Sequence, residues 1–189
     1  MQRLYQVLFI ASVLAMSWFG MMAVHELGHV IGAVITHGHI TGVVLHPMSI
    51  SRTDVHPNPN PVVVVWLGPI IGCLLPLGLQ LVIPSRMKIL RNSATFFAGF
   101  CLLANGAYIA VGSFDRVGDC GEMLRTGTPL WLMVAFGILT IPSGLFLWHR
   151  LGPLKLFFAN PTIITARTAW AVVAMTSAIV VAEVLLSYR

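Results

Sequence analysis

The sequence predicts an all-α membrane protein, a polytopic helical bundle of about five transmembrane spans with a short β-hairpin after the first span. Three observations carry that expectation. Of 189 residues, 57% are hydrophobic and only 9% are charged, whereas soluble domains carry about 25% charged residues. The mean hydropathy is +0.88. Five separate stretches reach or approach the roughly 20 apolar residues that a bilayer crossing needs. So few charges cannot clothe a water-soluble globule, and so apolar a chain does not stay disordered. The length fits one domain, so residues 1–189 are read as a single integral-membrane, multi-pass unit.

The first span is expected at about residues 5–36, longer than one crossing requires. Arg3 followed by an apolar run and small residues near Ala15 also fits a secretory signal peptide. Against that alternative, the run continues almost unbroken through Val34. Residues 39–55 read as a hairpin. Val43 and Val44 favour strands, Met48-Ser49-Ile50-Ser51 alternates apolar and polar, and Gly42 and Pro47 punctuate. Pro57-Asn58-Pro59-Asn60-Pro61 then breaks the chain. The second span is expected at 62–83, stopping before Pro84, the third at 94–112, the fourth at 130–148 and the fifth at 169–188. No internal repeat or low-complexity tract is present.

Eleven Lys and Arg against six Asp and Glu leave a formal charge of +5, but the charges are scattered. No basic run tracks a nucleic acid, so the excess is assigned to the headgroups of a lipid bilayer. Five spans gather Arg3, Arg86, Lys88, Arg91, Arg150, Lys155 and Arg167 on the N-terminal side, against Arg52, Arg116, Arg125 and Arg189 opposite. By the positive-inside rule that places the N-terminus in the cytoplasm. Cys73, Cys101 and Cys120 are widely spaced and form neither a disulfide framework nor a zinc knuckle.

The most informative residues are His25-Glu26-Leu27-Gly28-His29. Residues four apart share one helix face, so both imidazoles can reach the same metal ion. Glu26 beside them can act as general base on a water molecule. An ionised residue at the centre of a spanning helix costs about 2.5–3.5 kcal/mol, so such residues need a partner and usually serve a function. Divalent zinc meets that need; a polar helix-packing patch is the plainer alternative. Gly28 and Gly32 add a small-x-x-x-small face for close helix approach.

Two histidines leave a catalytic zinc site short of the usual three protein ligands. The candidates for the third are Asp54, Asp115, Asp119 and Glu183. Asp119 stands between Gly118 and Gly121, which permit a non-helical backbone able to turn its carboxylate inward. Asp115 adjoins Arg116 and reads as a solvated loop charge, Asp54 lies near Arg52, and Glu183 reads as structural. Cys120 offers a thiolate in place of Asp119. His37, His39, His46 and His56 are a possible metal-delivery patch but read more simply as interfacial polar residues. Met16, Met21 and Met22, with Phe19, read as packing or lipid-facing side chains.

His25-Glu26-Leu27-Gly28-His29 inside the first long apolar segment resembles the site-2 protease family of intramembrane zinc metalloproteases. In that family a later block supplies an Asp ligand and an upstream Asn that helps hold substrate. Gly118-Asp119-Cys120-Gly121 resembles the Asp block, and Asn105 in Ala104-Asn105-Gly106-Ala107-Tyr108 resembles the Asn. Trp66-Leu67-Gly68-Pro69 is similar to a Gly-Pro that often opens the second segment, and residues 48–55 take the place of a membrane-associated β-element. The resemblance covers roughly residues 20–125. It departs where Cys120 follows the Asp in place of Gly, where no proline follows Asn105, and where no PDZ-sized insertion occurs.

The resemblance therefore implies a minimal or divergent member with one catalytic Zn2+ held by His25, His29 and Asp119. Glu26 would be its general base, Asn105 would hydrogen-bond the substrate, and the substrate would be a membrane protein or hydrophobic peptide. It also implies that the end of the first span bearing the zinc motif faces the cytoplasm, opposite to the charge count. The rival readings are a membrane transporter or metal-binding module, which would need a polar pathway and often paired repeats, and an inactive relative acting as a scaffold.

Overall fold

The structure, a computed structural model, describes residues 2–45, 51–160 and 163–186. Its helices are α1 (Gln2–Ile35), α2 (Pro61–Val82), α3 (Lys88–Asp115), α4 (Gly118–Arg125), α5 (Leu130–Arg150), α6 (Leu154–Ala159) and α7 (Ala166–Leu186). Strands β1 (Ile40–Val44) and β2 (Arg52–Val55) lie between α1 and α2. Five helices, α1, α2, α3, α5 and α7, are long and apolar enough to cross a membrane.

The helix ends differ from the apolar windows for a physical reason. Hydropathy marks where lipid can begin, whereas a helix continues until its hydrogen bonding is interrupted. Thus α3 starts at Lys88 rather than 94 and runs past 112 to Asp115, and α5 continues beyond 148 to Arg150. α3 stops where Arg116 turns left-handed (φ 56°) and its N–H closes on the Gly112 carbonyl at 3.0 Å. α1 stops in the same manner at left-handed His37 (φ 57°), with the Gly38 N–H on the Ala33 carbonyl at 2.8 Å. α2 begins where Asn60 Oδ1 accepts from the Val63 N–H and Pro61 occupies the first turn.

The hairpin forms where expected, antiparallel, with Val43 opposite Thr53 and Val44 opposite Arg52. A bulge separates Ile40 from Gly42. Of the Met48-Ser49-Ile50-Ser51 alternation, the first three residues lie outside the described ones, as do His46 and Pro47. Short helices α4 and α6 are not foreseen by hydropathy, since neither is long enough to carry an apolar window.

Close helix packing sets the site. α1 and α2 meet backbone to backbone: a Cβ on Gly32 would come within 2.8 Å of Val64 Cα, and one on Gly28 would collide with the Leu67 carbonyl. Gly68 leaves room for the His29 ring in the same way. The small-x-x-x-small face thus serves to bring α2 against the motif. Beneath α4, Val65, Ile109, Cys120, Met123 and Met133 form a buried cluster from α2, α3, α4 and α5. It seats α4 against α2 and α3. A second cluster, Phe9, Val13, Ile164 and Ala169, ties α7 to the N-terminal half of α1.

Candidate metal centre

His25 and His29 project from one face of α1 and are both buried, as is Glu26. Their orientation is set from behind. His29 Nδ1 lies 2.8 Å from the Val64 carbonyl oxygen. A carbonyl only accepts, so this Nδ1 carries the hydrogen. His25 Nδ1 lies 2.6 Å from Asn105 Oδ1, and the Asn105 amide donates to the Cys101 carbonyl at 2.9 Å. That second bond fixes which end of the amide faces the ring, so His25 Nδ1 also carries its hydrogen. In the neutral imidazoles both Nε2 atoms are therefore bare lone pairs. They face each other at 3.1 Å.

Asp119 completes the convergence. Its Oδ2 lies 2.8 Å from His25 Nε2 and 3.3 Å from His29 Nε2. Burial opposes ionisation of this carboxyl, but when His25 and His29 are protonated their hydrogen bonds and charge outweigh it and hold the group below the ordinary carboxylate range. Among the described residues, His25, His29 and Asp119 are the group of His, Cys, Asp and Glu side chains whose ligand atoms cluster closely enough for one metal ion. Tetrahedral zinc with bonds of about 2.0–2.1 Å separates its ligands by about 3.3 Å. The observed spacings of 3.1 and 3.3 Å lie close to that separation, while the 2.8 Å between His25 Nε2 and Asp119 Oδ2 is shorter.

The backbone that delivers Asp119 is not the one expected. Asp119 lies in the first turn of α4 and is itself helical; the turn is made before it, at left-handed Arg116 and Gly118. Gly121 lies within the helix, where a Cβ would collide with the Arg116 carbonyl. The glycines therefore permit a sharp α3–α4 corner rather than an irregular loop around the carboxylate.

Other candidates lie elsewhere. Asp115 is exposed at the end of α3, and Asp54 pairs with Arg52 at 3.1 Å. Glu183 is buried in α7, apart from the cluster. Cys120 turns its Sγ to the Tyr108 carbonyl at 3.3 Å, and burial pushes its thiol up to about 11. Among the described residues His37, His39 and His56 join no metal-sized group. Met21 and Met22 line the cleft described next.

Two residues enter the site that the sequence reading did not single out. Thr53, on β2, donates its hydroxyl to Glu26 Oε2 at 2.7 Å. Tyr108 packs its ring edge-on against His25, and its hydroxyl oxygen accepts the Asp119 N–H at 3.1 Å. Tyr108 falls one helical turn after Asn105, a spacing that places both on one face. Thr53 carried no signal beyond its place in a strand. A cleft of about 1660 Å³ opens over the group, walled by α1, α3, α4, the start of α2 and the hairpin.

Compared with protein-family models, curated proteins and solved structures, the chain matches none. The functional reading therefore rests on the residues themselves.

Proposed function

We propose that this chain is a multi-pass membrane zinc metalloprotease that hydrolyses peptide bonds in or near the membrane segments of other proteins. The observation that carries the reading is the convergence of two bare Nε2 lone pairs and a carboxylate oxygen beside Glu26. Such a group repels itself unless a cation or a proton sits within it. Each imidazole donates its other N–H to a fixed oxygen, which is how metal-ligating histidines are usually held. Zinc bound there supplies Lewis acidity, polarising a carbonyl and acidifying a water molecule toward neutral pH.

The protein's own residues account for the rest. Glu26 takes a proton from the water as its oxygen bonds to the carbonyl carbon, and returns it to the leaving nitrogen. Thr53 steadies the carboxylate that performs both transfers. A cleft of about 1660 Å³ exceeds the roughly 300–1,000 Å³ typical of small-molecule sites, which favours a polymer segment as occupant. Leu81, Leu139, Phe146 and Leu185 are each at least 60% exposed, which favours lipid over water as their neighbour. α1 has 34 residues, about 51 Å at 1.5 Å each, against a hydrocarbon core of about 30 Å. His29 precedes the end of α1 by six residues, or about 9 Å, so the site lies toward one membrane surface.

The test is the Glu26→Gln variant, purified in detergent and assayed for bound zinc and for cleavage of a membrane-segment peptide. The variant is expected to keep its zinc and to lose cleavage by about 10²–10⁴-fold, the usual contribution of a general base. Equal cleavage by both proteins refutes the proposal.

A further inference from the structure

Peptide hydrolysis needs a donor for the carbonyl oxygen as it takes up negative charge. Asn105 is the residue that the family resemblance implies for contact with substrate, yet both its polar ends are engaged. Its Oδ1 accepts from His25 and its Nδ2 donates to Cys101. Thr53 is engaged on Glu26, and Thr41 on the Asp54 carbonyl. Arg52 and Arg125 pair with Asp54 and Glu122 at the exposed rim.

Tyr108 remains. It lines the cleft and is 42% exposed, although Asn105 one turn earlier is buried. Two of the three converging residues hold it: its ring lies 5.9 Å from that of His25, and its oxygen accepts from the Asp119 backbone. Accepting that N–H turns the phenolic hydrogen away from α4. Among the described residues that hydrogen meets no acceptor.

We propose that the Tyr108 hydroxyl donates the hydrogen bond that stabilises the carbonyl oxygen during hydrolysis, an inference that rests on the protease reading above. As the water oxygen bonds to the carbonyl carbon, Glu26 takes the water's proton and the carbonyl electron pair moves onto oxygen. Tyr108 donates to that oxygen without giving up its proton. The pair then returns, the C–N bond breaks, and Glu26 passes its proton to the leaving nitrogen. Removing one such donor typically lowers kcat by about 10²–10³-fold.

The experiment compares wild type, Tyr108→Phe and Glu26→Gln in detergent. Each is measured for zinc per protein after dialysis against a mild chelator. Kinetics are read on the best-cleaved peptide from a library of membrane-segment sequences. Affinity is read for the phosphinic analogue of that peptide, whose tetrahedral oxygens mimic the charged carbonyl. Tyr108→Phe is expected to keep its zinc and its KM, while kcat and phosphinate affinity fall together by about 10²–10³-fold. Loss of zinc makes Tyr108 a prop for Asp119 and overturns the proposal, as does an unchanged kcat beside an inactive Glu26→Gln. A wild type that cleaves nothing, or a Glu26→Gln that cleaves normally, overturns the protease reading and this inference with it.

Discussion

Replacing Asn105 by alanine separates two roles that the sequence leaves merged. If Asn105 holds substrate, the variant binds zinc normally and fails on KM. The structure assigns it instead to the back of His25, where the Nδ1–Oδ1 distance of 2.6 Å lies at the short end for an N–H···O bond. Both residues are buried, Asn105 at 1% exposure. Alanine leaves the His25 N–H without a partner, which costs about 1–3 kcal/mol. The ring escapes that penalty only by rotating or by moving its hydrogen to Nε2, and either change removes the lone pair from the metal position. Loss of such a supporting bond typically weakens metal binding about 10–100-fold. At about 1.4 kcal/mol per tenfold, that is about 1.4–2.8 kcal/mol, the same range as the local penalty.

The assay is zinc affinity by competition with a chromophoric chelator, read beside the thermal midpoint to confirm folding. Asn105→Ala is expected to lose about 10–100-fold in affinity, with most of that recovered in Asn105→Asp, which restores an acceptor to Nδ1. Wild-type zinc affinity in Asn105→Ala, together with a raised KM, would refute the orienting role and return Asn105 to the substrate.

Three further outcomes are expected. Asp119→Asn removes an anionic oxygen from the three-residue group and empties the site under mild chelation, whereas Asp115→Asn, altering an exposed carboxylate, keeps stoichiometric zinc; the reverse pattern exchanges their roles. Thr53→Val removes the hydroxyl on Glu26 and is expected to lower kcat roughly tenfold, about 1.4 kcal/mol, with zinc content unchanged; loss of zinc instead would show that β2 supports the metal rather than the base. Because burial raises the Cys120 thiol to about 11, only about one part in a thousand is thiolate at pH 8. Iodoacetamide at that pH should therefore leave Cys120 unmodified in the native protein, with reaction rising as pH approaches 11, and rapid native labelling at pH 8 would contradict its packing against Tyr108.

Sequence alone determined the long apolar helices, because twenty consecutive lipid-compatible side chains are a local property that no tertiary contact needs to supply. It also determined that His25 and His29 share a face, since helical periodicity sets the four-residue spacing whatever surrounds it. The hairpin was legible for a similar reason, from β-branched residues flanked by Gly and Pro. Tertiary structure decided what stands across from these elements. Asp119 is 90 positions from His29, yet its carboxylate reaches that ring at 3.3 Å because the α3–α4 corner and the cluster beneath α4 carry it there. Val64 contributes a backbone carbonyl, which every residue type carries equally, so nothing in the sequence could mark it out as the partner of His29. Asn105 looked like a substrate contact by resemblance, and only the packing of α3 against α1 turned its amide onto His25. Proximity between distant segments depends on how whole helices fit together, and that information is spread over glycines, cavities and crossing angles rather than written at the residues that meet.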